Sequence, residues 1–146
     1  MRIAIGSDHA GLEQKQALKA HLALNGHEIV DLGTDSEDSV DYPDFARAVG
    51  QTVADGEAEF GVLVCGTGIG MAVAANKVEG VRAANVVTEE FARLARQHND
   101  ANVVTVSGRF IPLEENERIV DAFLATAFEG GRHQGRVDKI NDAEKA

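Results

Sequence analysis

Residues 63–71 read Leu63-Val64-Cys65-Gly66-Thr67-Gly68-Ile69-Gly70-Met71, which places the only cysteine of the chain directly before three alternating glycines. The apolar run that leads into it, Phe60–Cys65, has the length and character of a buried strand, and the small residues behind the turn suit a short helix over Gly70–Asn76. A strand that runs through a glycine turn into a helix is the repeating joint of an α/β protein. Two common uses of such a joint fail here. A dinucleotide fingerprint needs G-x-G-x-x-G with an acidic residue closing the next strand. This turn reads G-x-G-x-G, Met71 holds the last glycine position, and the following strand ends in Val86-Val87-Thr88. A P-loop needs Lys followed by Ser or Thr after the last glycine, and neither follows Gly70. What remains is a turn whose backbone N–H groups can cradle a phosphate or an oxyanion. Cys65, at its mouth, reads either as a small buried apolar residue or as a thiol drawn toward thiolate by those N–H groups.

Outward from this joint the same alternation continues. Strands are expected at Arg2–Ile5, Glu28–Leu32, Arg82–Val87 and Asn102–Val106. Helices are expected at Gly11–Leu24, Asp44–Ala54, Thr88–His98 and Leu113–Phe128. Asn25-Gly26 and Asp55-Gly56 stop two of these helices, and Thr88 caps a third whose first turn carries Glu89 and Glu90. In the last, Ile119, Val120, Phe123, Leu124, Ala127 and Phe128 form one apolar stripe; in Thr88–His98 the stripe is Phe91, Leu94, Ala95 and His98. The segment 33–44 reads as an acidic surface loop. The fold class is therefore α/β: a three-layer α/β/α, doubly wound, Rossmann-like parallel sheet of about five strands in one domain. Such sheets bind ligands at the carboxyl ends of their strands.

Composition narrows the function. The chain has 146 residues, 44% hydrophobic and 26% charged, enough for one domain with a core of its own. Its 24 acidic and 14 basic side chains give a formal net charge of −10, which opposes binding to nucleic acid or to anionic membrane surfaces. Neither a membrane span nor a signal peptide is legible, so a cytoplasmic location is expected. A lone cysteine cannot form an internal disulfide. The five histidines, His9, His21, His27, His98 and His133, show no compact ligand spacing, so no metal and no other cofactor is expected.

The strand ends carry the candidate chemistry. Asp8 and His9 follow the first strand: they read either as a proton-handling pair or as a helix cap beside a surface histidine. His98 and Asn99 stand where a helix stops. Arg109 follows the last strand. Arg132, His133, Arg136 and Lys139 concentrate positive charge in residues 131–146, a basic C-terminal tail on an acidic protein. That reversal of sign suits an anionic ligand, and guanidinium groups suit phosphate. Arginines for phosphate, a thiolate and an imidazole for protons, and a nest for an oxyanion are the parts required to move a proton next to a carbonyl.

The blocks "GSDHAG" (6–11), "DYPDFA" (41–46), "CGTGIGMAVAANK" (65–77), "VRAA" (81–84), "RQHNDANVV" (96–104) and "EGGRHQGRV" (129–137) resemble, in order, the sugar-phosphate isomerase family. That family includes type B ribose-5-phosphate isomerases and galactose-6-phosphate isomerase subunits. The resemblance spans residue 1 to about 140. It implies metal-independent aldose–ketose isomerisation through a cis-enediol(ate), in homodimers or homotetramers with active sites shared between subunits. It implies Cys65 as the base, His98 as the ring-opening acid, and Asp8 and His9 as residues that contact the sugar and assist in handling protons, Asp8 being catalytic. Gly66, Thr67, Gly68, Ile69 and Gly70 form the anion hole, with the Thr67 hydroxyl assisting, and Tyr42 lines the pocket. The resemblance further implies that Asn99 holds a substrate oxygen and that Arg109, Arg132 and Arg136 bind phosphate, some of them across the subunit boundary. A second branch of the family lacks the cysteine and carries glutamate at the position of Met71, so the chain resembles the cysteine branch. Ribose 5-phosphate is the expected substrate. The alternatives are another aldose phosphate (tetrose, allose or galactose phosphate) and a non-catalytic sugar-phosphate-binding subunit.

Overall fold

A computed structural model describes residues 1–145. Five strands, β1 (Arg2–Ser7), β2 (Glu28–Asp31), β3 (Phe60–Cys65), β4 (Ala83–Asn85) and β5 (Val103–Ser107), form one parallel sheet in the order β2-β1-β3-β5-β4. Alternation along the strands builds two cores. Ile3, Ile5, Val62, Val64, Val104 and Val106 face α1 (Leu12–Leu24), α4 (Glu89–Asn99) and α5 (Leu113–Ala125), whose Leu18, Leu22, Ala92, Ala95, Ile119 and Phe123 complete that side. Ala4, Leu63, Cys65 and Val103 point the other way, against α2 (Tyr42–Ala54) and α3 (Ile69–Ala75). A sheet buried on both faces explains why the strands read as continuous apolar runs. Arg96, only 7% exposed, lays its guanidinium 4.7 Å from the Phe60 ring centroid, and its Nε and Nη1 donate to the Thr126 and Ala101 carbonyls. A buried cation thus finds its partners without breaking the apolar layer.

Several expectations are corrected. Residues 131–146 are not a tail: α6 (Arg132–Ala143) is a helix packed on α4, with Ala146 outside the described residues. α5 stops at Ala125, because the Thr126 hydroxyl donates back to the Ala122 carbonyl and Thr126 turns extended. Ala127 and Phe128 therefore leave the stripe, while Ile119, Val120, Phe123 and Leu124 hold it. On α4 the buried residues are Ala92, Ala95 and Arg96, and Phe91 is 57% exposed. α2 begins two residues before Asp44, with Pro43 in its first turn, which shortens the acidic loop. β4 has three residues rather than six.

Where a chain turns sharply across the sheet, glycine is required by contact. At Gly11 an added Cβ would sit 2.4 Å from the Val64 carbonyl oxygen, a backbone atom of the central strand. Gly11→Ala should lower the unfolding free energy by roughly 1–3 kcal/mol, the usual range for an overpacked core, as read from urea midpoints at unchanged slope.

Candidate active site

The order β2-β1-β3 reverses direction between β1 and β3, the point at which doubly wound sheets open a crevice beyond their carboxyl ends. Asp8 leaves β1 there, Cys65 ends β3, and Arg109 follows β5. With Tyr42, Gly66, Thr67, Ile69, Gly70 and Val73 they line one open cleft.

Cys65 is 5% exposed and packs with Leu63 and Met71, and it also lines the cleft. The Gly68 N–H donates to Cys65 Sγ over 3.2 Å. Gly68 can make it because its φ is +83°, and a side chain there would sit 2.5 Å from Asn85 Oδ1 and 3.0 Å from the Val106 backbone. The Thr105 hydroxyl donates to the Gly68 carbonyl over 2.7 Å and fastens the turn to β5. The Ile69 N–H donates to Thr67 Oγ1, so the Thr67 hydroxyl keeps its proton free for another acceptor. Arg109 lies over Gly66 with Nη1 3.4 Å from where its Cβ would be, and Tyr42 packs on Gly70, whose Cβ would meet the ring at 2.6 Å. The wall of this cleft is thus bare backbone on one side and a guanidinium on the other.

Asp8 acts as a cap, its Oδ1 accepting from the Gly11 N–H over 3.0 Å. Its other carboxyl oxygen stays available in the cleft. His9 Nδ1 accepts from the Val40 N–H over 3.2 Å, which puts the proton of the neutral ring on Nε2. Both side chains are braced from below. Lys15, fully buried, places Nζ 2.7 Å from Asp31 Oδ1, Lys19 reaches Oδ2 at 3.0 Å, and Gly33 N–H donates to Oδ1. Gly33 and Thr34 then exchange backbone hydrogen bonds with Ser7, the residue before Asp8.

The remaining site residues lie elsewhere. His98 and Asn99 end α4, and Arg132 and Arg136 stand on α6 beside it. Asn99 shares a groove with Ala83 and Ala101 at the amino edge of the sheet. Ala83 pairs with Val103 and Val103 with Gly61, four residues before Cys65, roughly 13 Å along the strand. α4 also packs on the face opposite the one Cys65 points to. The structure therefore gathers the predicted residues into two groups, at opposite edges of one sheet. Among the described residues, no carboxylate lies within salt-bridge distance of Arg109, Arg132 or Arg136. In a protein of net charge −10, three such guanidinium groups are suited to an external anion. Of the residues named from sequence, all of the first group meet at the cleft except His9 and Gly68, which flank it. Val73 and Glu129 were missed. Val73 lies four residues after Ile69 on α3, an outward apolar pair legible only once the helix is placed.

His98 Nε2, His133 Nε2 and a Glu129 oxygen lie within 4.8 Å of one another, a gathering that sequence spacing did not reveal. The two rings stack at 4.3 Å and 15°.

The model of a family described as ribose/galactose isomerase matches residues 3–140. The chain belongs to that family. Ribose-5-phosphate isomerase B of Escherichia coli is 46% identical over 144 residues, covering 99% of this chain and 97% of that protein. Ribose-5-phosphate isomerase B of Clostridium thermocellum superposes with a TM-score of 0.98 at 46% identity, over 99% of this chain and 98% of the other. The enzyme of Mycoplasma genitalium, solved with bound ribulose 5-phosphate, gives a TM-score of 0.95 at 51% identity, over 99% and 96%. Among the described residues no helix is long and apolar enough to cross a membrane.

The Lys15–Asp31 brace makes stability depend on acid. Burial alone raises the Asp31 carboxyl, but hydrogen bonds from Lys15, Gly33 and Lys19 outweigh it and hold the group below its ordinary 3.8. Its folded value being depressed, its contribution is complete above about 3.8 and is lost as pH falls through the lower folded value. The difference in thermal midpoint between the wild type and Asp31→Asn should be largest near neutrality and shrink below about pH 3.8.

Proposed function

We propose that this chain interconverts D-ribose 5-phosphate and D-ribulose 5-phosphate through a cis-enediolate, without metal or cofactor, in a site that two copies build together. The observation that carries the reading is the Cys65 sulfur at the switch-point cleft, held by the Gly68 N–H, between the Asp8 carboxylate and the Arg109 guanidinium. The bound ribulose 5-phosphate of the Mycoplasma genitalium relative supports the substrate class.

Ring opening comes first. The C1–O4 bond of the furanose breaks, its electron pair stays on O4, and O4 takes a proton from the His98 imidazole. The C1 hydroxyl gives its proton to the Asp8 carboxylate and becomes the aldehyde, and Asp8 releases that proton to solvent once product has left. The Cys65 thiolate then removes the proton from C2, the C–H pair forms the C1=C2 bond, and the charge passes to O1. Backbone N–H groups of residues 66–70 and the Thr67 hydroxyl stabilise that oxygen at the moment charge develops. The Cys65 thiol returns its proton to C1, and the O2 proton passes to O1 to leave the ketose. His9 and Tyr42 border the sugar, Asn99 holds one of its oxygens, and Arg109, Arg132 and Arg136 hold its phosphate.

The two groups of residues at opposite edges of the sheet favour an assembly in which the cleft of one copy meets α4 and α6 of another. Tyr42, Ile69, Val73, Val87 and Phe91 support it: these apolar side chains on the segments beyond the carboxyl edge are 40–59% exposed, a surface suited to burial against a second copy. A homodimer is the smallest assembly that satisfies this, and a cytoplasmic place in sugar-phosphate metabolism fits the substrate.

Purified protein with excess chelator should turn over ribose 5-phosphate. Cys65→Ala should lose on the order of 10²–10⁴-fold in kcat while keeping its thermal midpoint and its affinity for a phosphorylated sugar acid. Near-normal turnover by the folded variant would remove Cys65 from the mechanism. Faster turnover of a tetrose or hexose phosphate than of ribose 5-phosphate would change the substrate.

A further inference from the structure

The last turn of α4 carries more than the acid itself. Glu129 Oε1 lies 3.7 Å from His98 Nε2 and 3.6 Å from His133 Nε2, and the His133 ring stacks on His98. These positions are fixed by backbone. The Glu129 N–H donates to the Gln97 carbonyl over 3.1 Å, tying the residue to the end of α4. Gly130 and Gly131, at φ of +66° and +54°, then turn the chain so that the His133 N–H donates to the Gly130 carbonyl and α6 begins against α4. His133 is 7% exposed, whereas His98 and Glu129 keep side-chain exposures of 39% and 50%. One imidazole is thus walled in and the other faces outward, with a single carboxylate oxygen between them.

We infer that Glu129 and His133 are positioning residues for the ring-opening step, the carboxylate setting the orientation of the His98 imidazole and the stacked His133 ring blocking its rotation. The inference rests on the reading of His98 given above. Burial first, and then the nearby His98, Arg132 and Arg136, push the His133 ring below its ordinary 6.5 against the opposing pull of Glu129. The stacked His133 ring serves as the wall, and the Glu129 carboxylate faces His98. At 3.7 Å the contact between His98 and Glu129 is too long for a hydrogen bond and acts through the charge of the carboxylate. With one ring nitrogen turned to the carboxylate, the other is left for the substrate, as in any orienter–acid pair. The proton that His98 loses to O4 is regained from solvent after product leaves, so neither Glu129 nor His133 needs to change protonation state.

Two substrates separate this role from a structural one. Ribose 5-phosphate closes into a furanose and must be opened. Ribulose 5-phosphate cannot close, because the oxygen that would form its ring carries the phosphate. Exchange of its C1 hydrogen with deuterium of the solvent passes only through the Cys65 thiolate, the enediolate and return of a deuteron to C1. The experiment measures both rates, turnover of ribose 5-phosphate and deuterium wash-in to ribulose 5-phosphate by NMR, for Glu129→Gln, His133→Ala and His133→Phe. His98→Asn is the reference for loss of the acid.

Glu129→Gln should lower kcat on ribose 5-phosphate on the order of tenfold, a part of the 10²–10⁴-fold that a general acid supplies, with wash-in within about twofold of wild type. His133→Ala should show the same split, and His133→Phe, which restores a stacked ring, should recover most of the loss. Parallel loss of both rates in Glu129→Gln would make it a structural residue, and unchanged turnover would make it irrelevant; either result overturns the inference. If His98→Asn splits the rates and Glu129→Gln does not, the inference alone fails. If His98→Asn does not split them, the assignment of His98 fails and the inference falls with it.

Discussion

A parallel sheet delivers every strand to one edge and returns every following helix to the other, and the distribution of chemistry in this protein follows from that constraint. Side chains that leave a strand, Asp8, Cys65 and Arg109, collect at the carboxyl edge. Side chains that end a helix, His98 and Asn99, collect at the amino edge, and α6 adds Arg132 and Arg136 there. The proposed reaction, with a base from one set and an acid from the other, therefore favours an assembly of two copies.

Within the carboxyl edge, one turn governs the rest. Gly68 in the left-handed region aims its N–H at the Cys65 sulfur, and its carbonyl is held by Thr105 from the neighbouring strand. The same turn leaves Gly66 bare beneath Arg109 and Gly70 bare beneath Tyr42. Backbone, guanidinium and ring thereby line the cleft that Cys65 also lines, an arrangement of the kind that can stabilise a developing oxyanion at little cost at the moment of reaction. The Lys15–Asp31 pair performs the matching service for β1, holding residues 33 and 34 against Ser7 so that Asp8 and His9 leave the sheet in a fixed direction.

Much of this was legible in residue order. Phe60–Cys65 and the capped start of α4 at Thr88 stand where periodicity and capping chemistry put them, because both signals are local. The stripe of α5 was legible as far as Leu124; its end depends on a threonine that bonds backward, and on Arg96 drawing the Thr126 carbonyl toward α4. Phe91 was misplaced because an exposed apolar side chain at helical spacing reads like one kept for a core. Residues 131–145 read as a tail because positive charge masks a helix whose only fully packed positions are His133 and Val137. The division of the site into two groups is a property of topology, invisible in any motif. The gathering joins His98 to Glu129 and His133, a pair four positions apart that lies more than thirty positions further along the chain, and no spacing rule reaches across such a gap.

Mixed subunits test the shared site most directly. Cys65→Ala and His98→Asn chains, each inactive alone, are unfolded or dissociated together and allowed to reassemble. If the cleft of one copy takes His98 from the other, each mixed dimer contains one site with both residues intact, and activity should return to about a quarter of the wild-type value at equal mixing. If every chain used its own Cys65 and His98, both sites of a mixed dimer would lack one residue, and activity would stay at the level of the single variants. That result would contradict the account.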